Sequence, residues 1–226
     1  MIFVADHQKN RRSKKQKCFA CLPNSGTKSK TSCLNFIINN TVLKTIHIHM
    51  TVFSSREFEE VYDRLRHYLL SVDPSRSFVA MDIDNTLIKT HMFFDRVIHV
   101  REGIKIYDLA KALDIEVVLI TARSDLPDIH NVTAMQLRSV GIDNVDIYFQ
   151  PVREITIEAT SEYKFNTRRA HEFQNNKRCV CMVGDMWSDL FPLTYEDSVV
   201  LDNKYRNYFV LETSSYEYSV KLPSVT

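Results

Sequence analysis

The sequence predicts an α/β protein built on a mostly parallel β-sheet that is covered on both faces by helices. Three observations carry this expectation. From residue 78 onward, short apolar runs alternate with segments of helical periodicity. Two of those runs, IEVVLIT (115–121) and CVCMV (179–183), are nearly continuous in apolar residues, the pattern of strands buried on both faces. The 44% apolar and 25% charged composition is that of a globular chain, and 226 residues suit one domain of ordinary size.

Residues 1–33 show no hydrophobic periodicity and carry eight Lys/Arg against Asp6 alone, so a local charge of +7 sits on a remainder of −6. Residues 1–45 are therefore read as a basic, disordered arm and 46–226 as the folded domain. KNRRSKKQK in the arm is compatible with a nuclear-import signal, a nucleic-acid contact or a solvated tail. Cys18, Cys21 and Cys33, with His47 or His49, would make a zinc set of irregular spacing. TIHIHMTVF then alternates Ile46, Ile48, Met50 and Val52 on one face, as a strand does. Ser54 and Glu57 have capping-box spacing, and Phe58, Val61, Leu65 and Leu69 follow at helical intervals, which predicts a helix over 55–70.

Residues 78–81 come next as a strand, 104–113 as a helix and 115–121 as a strand. A helix from Leu126 to Val140 stops at Gly141. A short strand at 145–149, a helix at 165–174 and a strand at 179–183 follow, and SVVL (198–201) and YFVLE (208–212) are read as closing strands. Thr86 and Thr121 stand 35 positions apart. A helix of about ten residues and a strand of about six fill roughly half of that interval. A folded lid must bury its own core, so no large cap domain is expected. Met92, Phe93 and Phe94 in this interval are open to two uses, a flap or buried packing.

In a parallel sheet the ligand crevice lies beyond the carboxyl ends of the strands. FVAMDIDNTLI sends an apolar strand straight into Asp82 and Asp84, then Thr86. LITARSD ends the next strand with Thr121 and Arg123, and VGDMWSDL follows the CVCMV strand with Asp185 and Asp189. Were those strands neighbours, several carboxylates would share one crevice. Their repulsion asks for a cation, and an all-oxygen ligand set favours Mg²⁺.

These motifs resemble the haloacid dehalogenase-like superfamily of aspartate-nucleophile phosphatases over about residues 76–212. DIDNTLI is similar to its first motif, Thr121 of VVLIT to its second, and GDMWSDL to its fourth. TARSD and the upstream YKFNTRR resemble the acid-phosphatase branch of the bacterial class B enzymes and the plant storage-protein relatives. The resemblance implies a three-layer, Rossmann-like fold and a Mg²⁺-dependent phosphomonoester hydrolase. Asp82 would be the nucleophile of an aspartyl-phosphate pathway and Asp84 its acid and base. Thr121, Lys164 and Arg123 would hold phosphate; Asp82, the Asp84 backbone carbonyl and Asp185 would hold Mg²⁺, with Asp189 in support. Lys164 is preferred to Lys177 because Lys177 starts the CVCMV strand, at the wrong end of the sheet. Thr86 orients the turn or Asp84. Asp189 has a second reading as a helix-terminus carboxylate.

The expected partner is a phosphorylated substrate, with a nucleic acid on the basic arm as a further possibility and a homo-oligomer left open. No run reaches the ~18 apolar residues of a membrane span. No export signal is read, and five cysteines, an odd number, suggest reduced thiols in the cytoplasm or nucleus. A catalytically silent binding protein on the same scaffold, and a nucleic-acid-end phosphatase guided by the arm, are the competing functions.

Overall fold

The computed structural model describes residues 30–38, 46–90, 97–152, 156–213 and 218–223. Residues 1–29 and 39–45 of the basic arm, with Cys18 and Cys21, and the Met92, Phe93, Phe94 stretch lie outside the described residues. In chain order the elements are β1 (Lys30–Ile38), β2 (Ile46–Ser55), α1 (Phe58–Leu69), β3 (Ser77–Met81), β4 (Ile88–Thr90), β5 (Val97–His99), α2 (Arg101–Ala112) and β6 (Glu116–Ser124). They continue with α3 (Pro127–Ser139), β7 (Asp146–Gln150), α4 (Ile157–Asn175), β8 (Arg178–Gly184), α5 (Trp187–Leu190), α6 (Tyr195–Tyr205), β9 (Phe209–Thr213) and β10 (Tyr218–Lys221).

The main sheet has 8 strands in the order β1-β2-β9-β10-β8-β3-β6-β7. The run from β10 to β7 is parallel throughout, and β9, β2 and β1 extend it antiparallel. The fold class is thus α/β with a mixed, mostly parallel sheet. β1 lies within the stretch read as an arm and pairs along its whole length with β2. β4 and β5 form a separate hairpin between β3 and α2.

β3 sits between β8 and β6 with all five residues buried, which is why its sequence does not alternate. Phe78 and Ala80 join a core with Val118, Ile120, Met182 and, from α5 and α6, Trp187, Leu190 and Leu201. Val79 and Met81 join a second core with Val117, Leu119 and residues of α1 and α2, among them Val61, Leu65 and Ile106. Val180 and Cys181 both enter that second core, because the β3–β8 register shifts between Phe78 and Val79.

Three sequence expectations change. The Ser54–Glu57 capping box does not form, and α1 starts at Phe58. Ser54 and Ser55 pair with Val210 and Phe209 of β9, so the sheet takes the backbone that a cap would need. Glu57 donates its N–H to the Ser55 hydroxyl at 3.0 Å instead.

SVVL is helical, not a strand. The Thr194 hydroxyl accepts from the Asp197 N–H at 3.2 Å, Glu196 and Asp197 fill the first turn of α6, and Ser198, Leu201 and Tyr205 point inward at helical spacing. Burial on one helical face outweighs the β-branched pair Val199 and Val200, which stay exposed. The helix expected at 165–174 begins at Ile157, capped by Thr156, whose hydroxyl accepts from the Ala159 N–H at 3.1 Å. Elsewhere the boundaries agree within a few residues. α3 stops just before Gly141, with N–H bonds from Gly141 to the Arg138 carbonyl and from Ile142 to the Leu137 carbonyl.

Candidate active site

The ends of β3, β6, β8 and β10 lie along one edge of the sheet, since these strands run in the same direction. Asp82, first residue after β3, extends the ladder by one rung: its N–H donates to the Val183 carbonyl at 2.9 Å. Beyond it the chain turns sharply. The Ile83 carbonyl accepts from the Leu87 and Ile88 N–H groups at 2.9 and 3.1 Å, and Asn85 takes a left-handed φ of 57°, a conformation asparagine tolerates. Gly103 of α2 is pressed against the Thr86 carbonyl, where a Cβ would overlap the backbone. The turn is thereby fixed from beneath.

α4 supplies the cation. Lys164 is 3% exposed, and its Nζ donates to Asp82 Oδ1 at 2.5 Å and to Asp189 Oδ1 at 2.7 Å. Lys177, by contrast, pairs with Glu116 at 2.8 Å, at the start of β6. One carboxylate oxygen each from Asp82, Asp185 and Asp189 lie within 4.8 Å of one another, all three residues are buried, and the group could hold a metal ion. Asp189 also serves its helix: its Oδ2 accepts from the Met186 N–H at 3.0 Å. The helix-terminus reading of Asp189 thus describes its contact, and the same side chain lies in the acidic cluster. Gly184 makes it possible, since a Cβ there would overlap the Asp189 side chain. Gly184→Ala is expected to displace Asp189 and to destabilise the chain by about 1–3 kcal/mol. Thermal unfolding checks this, and an unchanged Tm would contradict it.

One ammonium is bonded to two of these three buried carboxylates. Burial raises the Asp82 carboxyl to about 7, with Asp189 adding to the rise and Lys164 opposing it. Burial, then Asp189 and Asp82, raise Asp185 to about 8. Burial alone would pull the Lys164 amine down, but Asp189 and Asp82 outweigh it and its affinity for its proton rises. An unfolded chain loses the two carboxyl protons near the ordinary value of 3.8, whereas the folded chain keeps them up to about 7 and 8. The folded state binds more protons inside that window, so metal-free stability should fall as pH rises through it. Melting of chelated protein at about pH 5 and about pH 8 tests the sign, and a Tm that rose over that range would refute it.

Asp84 stands apart from the triad. Arg123 holds it by two bonds, Nε to Oδ2 and Nη2 to Oδ1, both 2.8 Å. Nη1 reaches Thr133 at 2.8 Å and Gln136 at 2.7 Å on α3. Arg123 lies where the β6–β7 register breaks between Thr121 and Ser124, an irregularity that re-aims side chains at a sheet edge. Its N–H donates to the fully buried Thr121 hydroxyl at 3.2 Å. The buried Thr86 hydroxyl has no hydrogen-bond partner among the described residues.

Two supports were missed in the sequence. Arg168, one helical turn beyond Lys164, donates to the Asp189 and Leu190 carbonyls at 2.7 and 2.9 Å. The Ser161 hydroxyl donates to the Phe191 carbonyl at 2.5 Å and accepts from the Leu193 N–H at 3.0 Å. Thr160, Ser161, Lys164, Arg168 and His171 are the buried residues of α4, a polar stripe at helical spacing that an apolar search does not register. Among the described residues no helix is long and apolar enough to cross a membrane. No protein-family model and no curated protein matches the chain, so a functional reading stands on the geometry of this site.

Proposed function

We propose that the chain is a Mg²⁺-dependent phosphomonoester hydrolase working through an aspartyl-phosphate on Asp82, on a three-layer, Rossmann-like domain of haloacid dehalogenase-like type. The observation that carries this reading is Lys164 bridging Asp82 and Asp189 inside a buried carboxylate triad at the carboxyl edge of a parallel sheet. In the first step an Asp82 oxygen attacks phosphorus, the bond to the leaving oxygen breaks, and Asp84 gives that oxygen its proton. In the second, Asp84 takes a proton from water, the water oxygen bonds to phosphorus, and the Asp82 carboxylate leaves, releasing phosphate. Lys164 and Thr121 hold the transferred phosphoryl oxygens. The donor set is all oxygen and fits a hard cation; Mg²⁺ on Asp82, Asp185 and the Asp84 carbonyl, with Asp189 in support, would offset negative charge on the phosphoryl group. Arg123, with its donors on Asp84, Thr133 and Gln136, acts here on Asp84 more than on phosphate.

One observation favours a second reading, a phosphoester-binding protein without turnover. Both Asp84 oxygens accept hydrogen bonds from the Arg123 guanidinium, contacts that compete with their use as acid and base. A screen of Mg²⁺-loaded protein against nucleotides, sugar phosphates, phosphopeptides and 3′- or 5′-phosphorylated oligonucleotides separates the two. Phosphate release that stops on chelation supports the hydrolase. Binding of a phosphoester with no release from any substrate establishes the second reading. Preference for oligonucleotide ends would bring in the basic arm.

A further inference from the structure

We propose that Thr133 and Gln136 of α3 are positioning residues of this site: by anchoring the Arg123 guanidinium they set the direction in which Asp84 presents its carboxylate. The inference rests on Asp84 being the acid and base of the proposed hydrolase. A guanidinium is planar, and its five N–H groups point in fixed directions. Along one edge of that plane, Nε and Nη2 both donate to Asp84 at 2.8 Å. At its other end, Nη1 donates to the Thr133 hydroxyl at 2.8 Å and to Gln136 Oε1 at 2.7 Å. Tethered at both ends, the plane can neither tilt nor slide without breaking a bond, so the hold on Nη1 fixes the edge that faces Asp84.

The two anchors stand three residues apart and share one face of α3. That face is fixed: Thr133 is fully buried, and Leu137, next to Gln136, packs in the core with Val117 and Leu119 of β6. Asp84, by contrast, lies on the turn beyond β3 with its side chain 35% exposed. Arg123 thus ties a part-exposed carboxylate on a turn to a helix seated in the core, the kind of support that holds a reacting group in one geometry. The clamp takes one acceptor position on each Asp84 oxygen, of about four that a carboxylate offers, so it orients the group without itself consuming it.

The test compares kcat/KM for 4-nitrophenyl phosphate and for a primary alkyl phosphate, in the full chain with Mg²⁺, across Gln136→Met, Arg123→Met and the pair. An alkoxide needs a proton to leave, whereas nitrophenolate needs little help, so a misplaced acid penalises the alkyl ester. Gln136→Met is expected to lower kcat/KM roughly 10-fold on the alkyl ester and roughly 2-fold on the aryl ester. Arg123→Met should do at least as much, and the pair no more than Arg123→Met alone. Thr133→Val, which deletes the other Nη1 acceptor at constant shape, should show the same bias, and it decides should Gln136→Met not fold. Equal losses on the two esters, additive losses in the pair, or a relative gain on the alkyl ester overturns the inference. Thermal unfolding of Asp84→Asn, Gln136→Met and the two together, with Arg123 present and with Arg123→Met, needs no turnover. Anchoring predicts a fall in Tm for the two together that is smaller than the sum of the single falls, and additive once Arg123 is gone. Should the unaltered chain hydrolyse neither ester, the hydrolase reading fails and this cycle alone decides the anchoring, which additivity with Arg123 present would refute.

Discussion

Asp82→Asn is expected to suppress phosphate release by roughly 10⁴-fold or more while the protein stays folded. An amide oxygen is a poor nucleophile, and the variant also loses one of the anionic oxygens offered to a cation. The shape of the side chain is kept, and its oxygen can still accept from Lys164, now 2.5 Å away. Removing one of three mutually repelling carboxylates from a buried cluster should raise the metal-free Tm, by a few degrees if the gain is about 1 kcal/mol. Higher stability with lost turnover is the signature of a residue kept for chemistry at the expense of the fold. Near-native turnover in Mg²⁺ would remove Asp82 from the nucleophile's role, and a lowered Tm would show that the repulsion has been misjudged.

Lys164→Met should have the largest effect on stability. The ammonium is the only cation bonded to both Asp82 and Asp189 among the described residues. Without it Asp82 and Asp189 lose their bonded counter-charge, and breaking a buried pair in this way costs about 3–5 kcal/mol. For a chain of this size that is a fall in Tm of roughly 10 °C or more. Two conditions should soften the loss. Mg²⁺ supplies replacement charge, and acid lets Asp82 and Asp185, raised to about 7 and about 8, keep their protons. Melting curves at about pH 5 and about pH 8, each with and without Mg²⁺, measure both effects. A loss independent of pH and of metal would mean that Lys164 acts through packing alone. Turnover should also drop, because the phosphoryl oxygens lose their cation.

Short-range chemistry was legible in the chain. The apolar β3 run ending at Asp82, the β8 run ending before Asp185, and the Gly141 stop of α3 all depend on neighbours a few residues away. The reading of strand-end carboxylates as one group required only that the strands be parallel neighbours, and β3 does lie between β6 and β8. The choice of Lys164 over Lys177 followed from which end of a strand faces the crevice.

By itself, then, the sequence determined the α/β alternation, the burial of β3, β6 and β8 on both faces, and the acidic groups that stand at their ends, because period and turn chemistry are local properties. Tertiary structure decided the rest. It turned SVVL into part of α6, since one helical face could be buried there, and it drew Ser54 and Ser55 into the sheet because β9 offered them a ladder. It also set Arg123 on Asp84 across 39 positions of chain and brought Lys164 to Asp82 and Asp189. Burial strips water from a charge and leaves only whatever partner the fold delivers, so which charges meet is a long-range outcome that no window of neighbouring residues contains.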